Sequence, residues 1–226
     1  MQRHFEQELD GLKINLIKMG SLAEKAVHDS LQALLNDDTN IAQRVIDGED
    51  RINSLEIEID NSIVDILALQ QPVAVDLRMI LSALKINNDL ERIGDHAVNI
   101  AESVFSLAKC EKDSYIYLPK MAEVAEQMLH NALDSFIHFD TKLGMDVLKM
   151  DDTIDNFNKD IFTRVIERMK NNQRSIEAGM HLIRVSRNLE RIGDLATNIA
   201  EEVIFIAQAK IVKHHADEKG NSTNQQ

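Results

Sequence analysis

The chain has 226 residues, 44% of them apolar, enough to bury the core of one large domain or two small ones. Its 38 acidic residues against 25 basic ones leave a formal net charge of -13, which repels nucleic-acid phosphates and attracts cations or basic protein surfaces, so no nucleic-acid partner is expected. One cysteine, Cys110, excludes an intrachain disulfide and every zinc motif built on paired cysteines, which suits a reducing, cytoplasmic compartment.

The start, MQRHFEQELDGLK, has no uninterrupted apolar core of the kind a signal peptide needs. No run approaches the roughly 18 apolar residues of a spanning helix, so work at a membrane would require recruitment by a partner. Two prolines, eight glycines and 4% aromatic residues, with apolar residues recurring at steps of three and four, predict an all-α protein.

In chain order, a first helix runs to the break Asn36-Asp37-Asp38-Thr39, where Asp38 is the expected N-cap of the next. The second helix carries Ile52, Leu55, Ile59, Ile63 and Ile66 and ends at Gln70-Gln71-Pro72; Pro72 suits the start of the third. In the third, Ile86, Leu90, Ile93, Ala97, Ile100, Val104 and Leu107 form a heptad-like core seam. After CEKDSYIYLP, three more helices follow, broken at His138 to Thr141, with Asp140 as N-cap, and at Asn171-Asn172. Beyond about His214 the chain loses its apolar period and is expected to be a disordered tail.

These six helices repeat as a set of three. Residues 26–46 lie over 128–148 with an offset of 102, placing His28 on His130, Leu31 on Leu133 and Val45 on Val147. LERIGD occurs at 90–95 and again at 189–194, an offset of 99, so one copy is three residues shorter, most simply at the turn between its second and third helices. The expected architecture is two tandem three-helix bundles, 1–110 and 111–213, with the tail at 214–226.

LERIGD combines unfavourable choices. Glu91 and Asp95, like Glu190 and Asp194, are like charges at i and i+4, and the glycine between them costs roughly 1 kcal/mol against alanine in a helix. Gly94 and Gly193 would let another helix, or a cation with its shell, approach the backbone. The second helix of each set offers a facing pair, Glu49 with Asn53 and Asp151 with Asp155. Together these oxygens suit a divalent or trivalent cation such as iron, Mn, Mg or Ca, with Zn as an intruder. Acids on a solvated helix face, ion-paired to Arg92 and Arg191, are the plain alternative. Asn99, Glu102, Asn198 and Glu201 continue the register and read as polar surface.

The two ERIGD copies, each leading into N-I-A-E (99–102 and 198–201), and PVAVDLR at 72–78 resemble the PhoU family from the first helix to about Ile211. The resemblance implies two three-helix bundles with E(D)xxxD pairs that bind metal. In this chain the pairs are Glu91 with Asp95, Asp151 with Asp155, and Glu190 with Asp194, while Glu49 is followed by Asn53, which offers a neutral carbonyl oxygen only. Weaker metal binding in the first bundle is therefore expected. The resemblance also implies a cytoplasmic, homodimeric negative regulator of the phosphate-starvation response. Such a protein modulates phosphate uptake by contact, between the ATPase subunit of the phosphate ABC transporter and its sensor histidine kinase, peripheral to the membrane through these partners.

Two other readings compete. A carboxylate-bridged metalloenzyme would need Glu-x-x-His motifs, and none of the eight histidines has a glutamate three residues before it. HExxH, a phosphate-binding glycine loop and a serine nucleophile in a turn are equally missing, so no catalytic residues and no enzyme are expected. The second is a metal-independent helical adaptor whose acids meet a basic patch on a partner. His28 and His130 lie beside apolar stripes with no acid at ligand spacing and read as packing or surface residues.

Overall fold

The structure, a computed structural model, describes residues 2–110 and 118–209. The expected tail at 214–226 and most of the expected inter-bundle segment lie outside the described residues. Within them the chain forms α1 (Gln2–Asn36), α2 (Thr39–Asp47), α3 (Glu49–Gln70), α4 (Ala74–Leu107), α5 (Leu118–His138), α6 (Thr141–Asn171), a single 3-10 turn (Gln173–Ser175) and α7 (Ile176–Gln208), with no strand among them.

The six helical rods are those expected, with one difference: the second is interrupted at Gly48, which separates α2 from α3. Gly48 keeps right-handed helical geometry, φ -82 and ψ -14, and its N–H reaches the carbonyls of Arg44 and Val45 at 3.1 Å each. Its counterpart in the second copy is Met150, and there α6 runs unbroken.

The duplication extends to the turns. Asp38 caps α2 by accepting from the N–H groups of Asn40 and Ile41 at 2.9 and 3.1 Å, and Asp140 caps α6 through Lys142 and Leu143 at 2.9 and 3.2 Å. The preceding residues, Asp37 and Phe139, both take φ 52, closing the helix before each cap in the left-handed conformation. At the other junction the copies diverge: α4 starts at Ala74, two residues past Pro72, while α7 follows an extra 3-10 turn.

The expected apolar seams are buried: Ile86, Leu90, Ile93, Ala97, Ile100, Val104 and Leu107 on α4, and Ile52, Leu55, Ile59, Ile63 and Ile66 on α3. The buried residues of both bundles form one continuous cluster, so the repeats share a core and do not sit as separate beads. The third helices, α4 and α7, make the central seam between bundles, and α1 packs on α5 beside it. Both pairs are antiparallel, because contacts pair high numbers on one helix with low numbers on the other.

Polar ties stitch these seams. Glu202 accepts from Ser82 and Lys85 at 2.6 Å each, Arg184 donates to Asn99 and Glu102 at 2.6 Å each, and His96 pairs with Asn188 at 2.8 Å. Burial pushes Asp89, which bonds Asn198, up to about 6, only partly offset by Arg92; burial also pushes His96 below its ordinary value. Both shifts favour the uncharged form, so the seam tends to neutrality.

Candidate functional site: two carboxylate runs beside LERIGD

The LERIGD glycines take another helix, not a cation, against the backbone. A Cβ on Gly94 would meet Ile52 Cδ1 at 2.9 Å and Cγ2 at 3.3 Å; on Gly193 it would meet Ile154 Cδ1 at 3.0 Å and Cγ2 at 3.1 Å. Ile52 and Ile154 are 102 residues apart and the glycines 99, so one contact joins the two registers of the repeat and locks α3 on α4 and α6 on α7. The glycine is a packing device, and its effect on the site is indirect: it fixes how the acids of two helices face each other.

All seven sequence-predicted acids, Glu49, Glu91, Asp95, Asp151, Asp155, Glu190 and Asp194, are half-buried, neither solvated surface nor core. In the first bundle, desolvation followed by the charge of Asp95 raises both Glu49 and Glu91 above the ordinary carboxylate range, and Glu49 lies within hydrogen-bonding reach of Asp95. In the second, desolvation and then Asp194 raise Glu190, with Asp155 adding to the rise. The spacing argument thus brings Glu49, Glu91 and Asp95 together, and Asp155, Glu190 and Asp194.

The surroundings of the two runs differ. Arg191 holds Asp194 at 2.8 Å and Lys159 holds Asp155 at 3.6 Å, while Arg187 and Arg191 partly offset the rise at Glu190. Arg92 turns to Asp89, at 4.0 Å, and only partly offsets the rise at Glu91. Both arginines therefore form an ion pair, Arg191 with the Asp194 of its own LERIGD copy and Arg92 with Asp89, three residues before it.

Residues that sequence reasoning passed over enlarge the first run. Glu56 and Asp60, another i, i+4 acid pair on α3, continue it by two turns: Glu56 adds to the rise at Glu91 and is itself raised by burial, Asp60 and Asp95. Asn87, fully buried, donates to the Glu56 carbonyl and to Asp60 Oδ1 at 3.0 Å each. Glu56, Asp60, Lys85, Asp89, Glu201 and Glu202 line a groove of about 480 Å³ over α4. The signal was in the sequence, but comparison with the second copy, where Asn158 and Phe162 stand in these places, hid it.

Asn99 and Glu102 are not idle surface, since they receive Arg184 from the other bundle. Nor do His28 and His130 lack acids. His28 Nδ1 pairs with Glu126 at 2.9 Å and His130 Nδ1 with Glu24 at 2.8 Å, a reciprocal exchange across the α1–α5 groove. Glu24 and Glu126 lie four residues before the two histidines, the clue available from sequence.

Among the described residues, no three His, Cys, Asp or Glu side chains already form a set able to hold a metal ion. The donor chemistry nevertheless fits a hard cation: half-buried carboxylates raise one another, and the buried Asn53 Oδ1 has no hydrogen-bond partner. No helix among the described residues is long and apolar enough to cross a membrane.

Fold and site together define an internally duplicated, all-helical protein with a carboxylate run on each repeat. A family model described as the PhoU domain matches residues 16–104 and again 118–203. The chain is 38% identical over 218 residues to the phosphate-specific transport system accessory protein PhoU homolog of Pseudomonas aeruginosa, covering 95% of this chain and 89% of that protein. It is likewise 38% identical over 216 residues to the Aquifex aeolicus homolog, covering 95% and 98%. The crystal structure of PhoU from Pseudomonas aeruginosa superposes with a TM-score of 0.89 at 38% identity, over 91% of this chain and all of that one. That of the phosphate transport system regulatory protein PhoU from Streptococcus pneumoniae gives 0.86 at 28%, over 92% and 99%. The chain belongs to the PhoU family, which supports an accessory or regulatory role in phosphate transport.

Proposed function

We propose that this protein is a cytoplasmic negative regulator of the phosphate-starvation response that also modulates phosphate uptake. It acts by contact, and not by catalysis, between the ATPase subunit of a phosphate ABC transporter and a sensor histidine kinase, as a homodimer held at the membrane by these partners. The observation that carries the reading is the pair of half-buried carboxylate runs at equivalent places in two PhoU domains, on a shared core that holds both faces in a fixed relation.

Each run would hold a metal cation, with iron among the candidates beside Mn, Mg, Ca and Zn: Glu49, Asn53, Glu91 and Asp95 in the first bundle, and Asp151, Asp155, Glu190 and Asp194 in the second. A bound cation would supply positive charge that relieves the like-charge repulsion in each run and would present an electropositive centre to a partner. The protein's own residues set the helix register and the half-buried environment in which this happens.

Deletion in the source organism, scored by phosphate-regulated transcription at high phosphate, tests the regulatory role. Derepression is expected, and unchanged repression contradicts it. Pull-down from membranes of phosphate-replete cells should bring down transporter or kinase subunits. The Arg191–Asp194 and Lys159–Asp155 pairs favour a second reading, a metal-independent adaptor whose acids meet basic side chains. Elemental analysis of protein purified without chelator separates the two, because the adaptor needs no metal.

A further inference from the structure

Arg92 and Arg191 hold the same place in the two LERIGD copies, 99 residues apart. The α4–α7 seam is antiparallel, as the Ser82–Glu202 and Asn99–Arg184 ties show, so these equivalent residues meet where its two halves cross. There Arg92, Arg191, Asp194, Leu195 and Asn198 line a pocket of about 370 Å³. Two guanidinium groups, one from each repeat, thus share one small cavity.

Neither guanidinium is fully engaged. Arg191 donates to Asp194 at 2.8 Å, and Arg92 has Asp89 at 4.0 Å, the outer limit of an ion pair. Both side chains are about half exposed, and each guanidinium has five N–H donors, so donors of both forks remain accessible. Two arginines against Asp194 alone leave the lining net positive, in a chain whose formal charge is -13. Their field converges on a neighbour as well: burial lowers His96, and the charges of Arg92 and Arg191 both add to that lowering against the opposing charge of Asp95. Like charges gathered in this way repel, and an anion between them would relieve the repulsion.

The donor set selects the class of anion. A planar carboxylate is matched by a single guanidinium fork, whereas two forks arriving from facing helices suit an anion with oxygens on several sides. Asn198, which gives one amide N–H to Asp89, has a second to offer, and Leu195 is a buried apolar wall.

We infer that Arg92 and Arg191 form a binding site for a tetrahedral oxyanion of the phosphate class, shared between the two repeats at their seam. The site needs no metal and stands independently of the carboxylate runs. It goes beyond the contact role proposed above by giving the protein a small ligand of its own.

The test is isothermal titration calorimetry of inorganic phosphate into the full chain, after chelator treatment and at fixed ionic strength, with circular dichroism and thermal unfolding as checks on the fold. One saturable site per chain is expected. Arg92→Gln and Arg191→Gln should each weaken it by at least about tenfold, the loss of one charge-assisted pair. Arg187→Gln removes the same charge from an exposed position one turn before Arg191, outside the pocket, and should change affinity by no more than about twofold. Arg92→Lys and Arg191→Lys, which keep the charge and lose the fork, should bind between the unaltered chain and the glutamine variants, and they carry the test if a glutamine variant fails to fold. O-phosphoserine distinguishes the source of the anion: binding at least as tight as that of phosphate assigns the pocket to a phosphoryl group carried on a larger molecule, and weaker binding assigns it to the free ion. No saturable binding of either probe, binding that the Arg92 and Arg191 variants retain, or equal weakening by Arg187→Gln would overturn the inference.

Discussion

In the second bundle Arg191 and Lys159 sit on Asp194 and Asp155, whereas in the first Arg92 turns to Asp89 and only partly offsets the rise at Glu91. The hexapeptide is the same in both, and so is the isoleucine seated on its glycine. The contrast shows that a duplicated motif preserves the packing that places a site while its neighbours set the charge. Asn88 on α4 corresponds to Arg187 on α7, and Glu56 and Asp60 on α3 correspond to Asn158 and Phe162 on α6. Substitutions outside the motif have made the first face acidic and the second nearly balanced.

The largest expected effect tests this asymmetry at the seam. Asp89 is held up to about 6, and its counterpart is the neutral Asn188. Because the folded value lies above the unfolded one, the native state binds the extra proton, and stability falls as pH rises from about 4 through about 6. Asp89→Asn removes that loss, so above pH 7 the variant should gain up to about 3 kcal/mol over the unaltered chain, less whatever the Asn198 bond contributes. Urea denaturation at pH 5 and pH 8 measures it, and a constant difference between the two would contradict the assignment.

Next in size are the glycines. Gly193→Val must push aside Ile154, with Met128 already in contact 3.5 Å away, whereas at Gly94 the three nearest atoms all belong to Ile52. Both should lose about 1 to 3 kcal/mol by overpacking, with the Gly193 variant the less stable. Equal midpoints and equal m-values in urea would mean that the two helix contacts are interchangeable.

The smallest effect concerns His130, raised chiefly by its bond to Glu24. Stability from this pair is fully present below about pH 6.5 and is lost as pH rises through the raised value. As the ring is more than half exposed, His130→Gln should cost no more than about 0.5 kcal/mol at pH 6 and nothing at pH 9.

Much of the fold was legible because its signals are local and periodic. The Asp38 and Asp140 caps, the α3 and α4 seams and the doubled register could each be read from a few turns of helix. Gly48 was missed as a break because a glycine keeping right-handed geometry leaves the apolar period on either side intact. The role of Gly94 could be narrowed to close approach, but only the position of Ile52 says what approaches. The His28–Glu126 and His130–Glu24 exchange joins residues 98 and 106 apart, and no helical period reports a pairing of that range. Glu56 was overlooked for a different reason: aligning one copy on the other directs attention to matching positions, and this acid has no acidic counterpart in the second copy.

The central claim is that the carboxylate run on each repeat holds a metal cation. Crystals grown with excess Mn²⁺ and examined by anomalous scattering at the manganese edge test it most directly. Anomalous peaks are expected beside Glu91 and Asp95 and beside Glu190 and Asp194. Crystals with no anomalous peak at either run would contradict the claim.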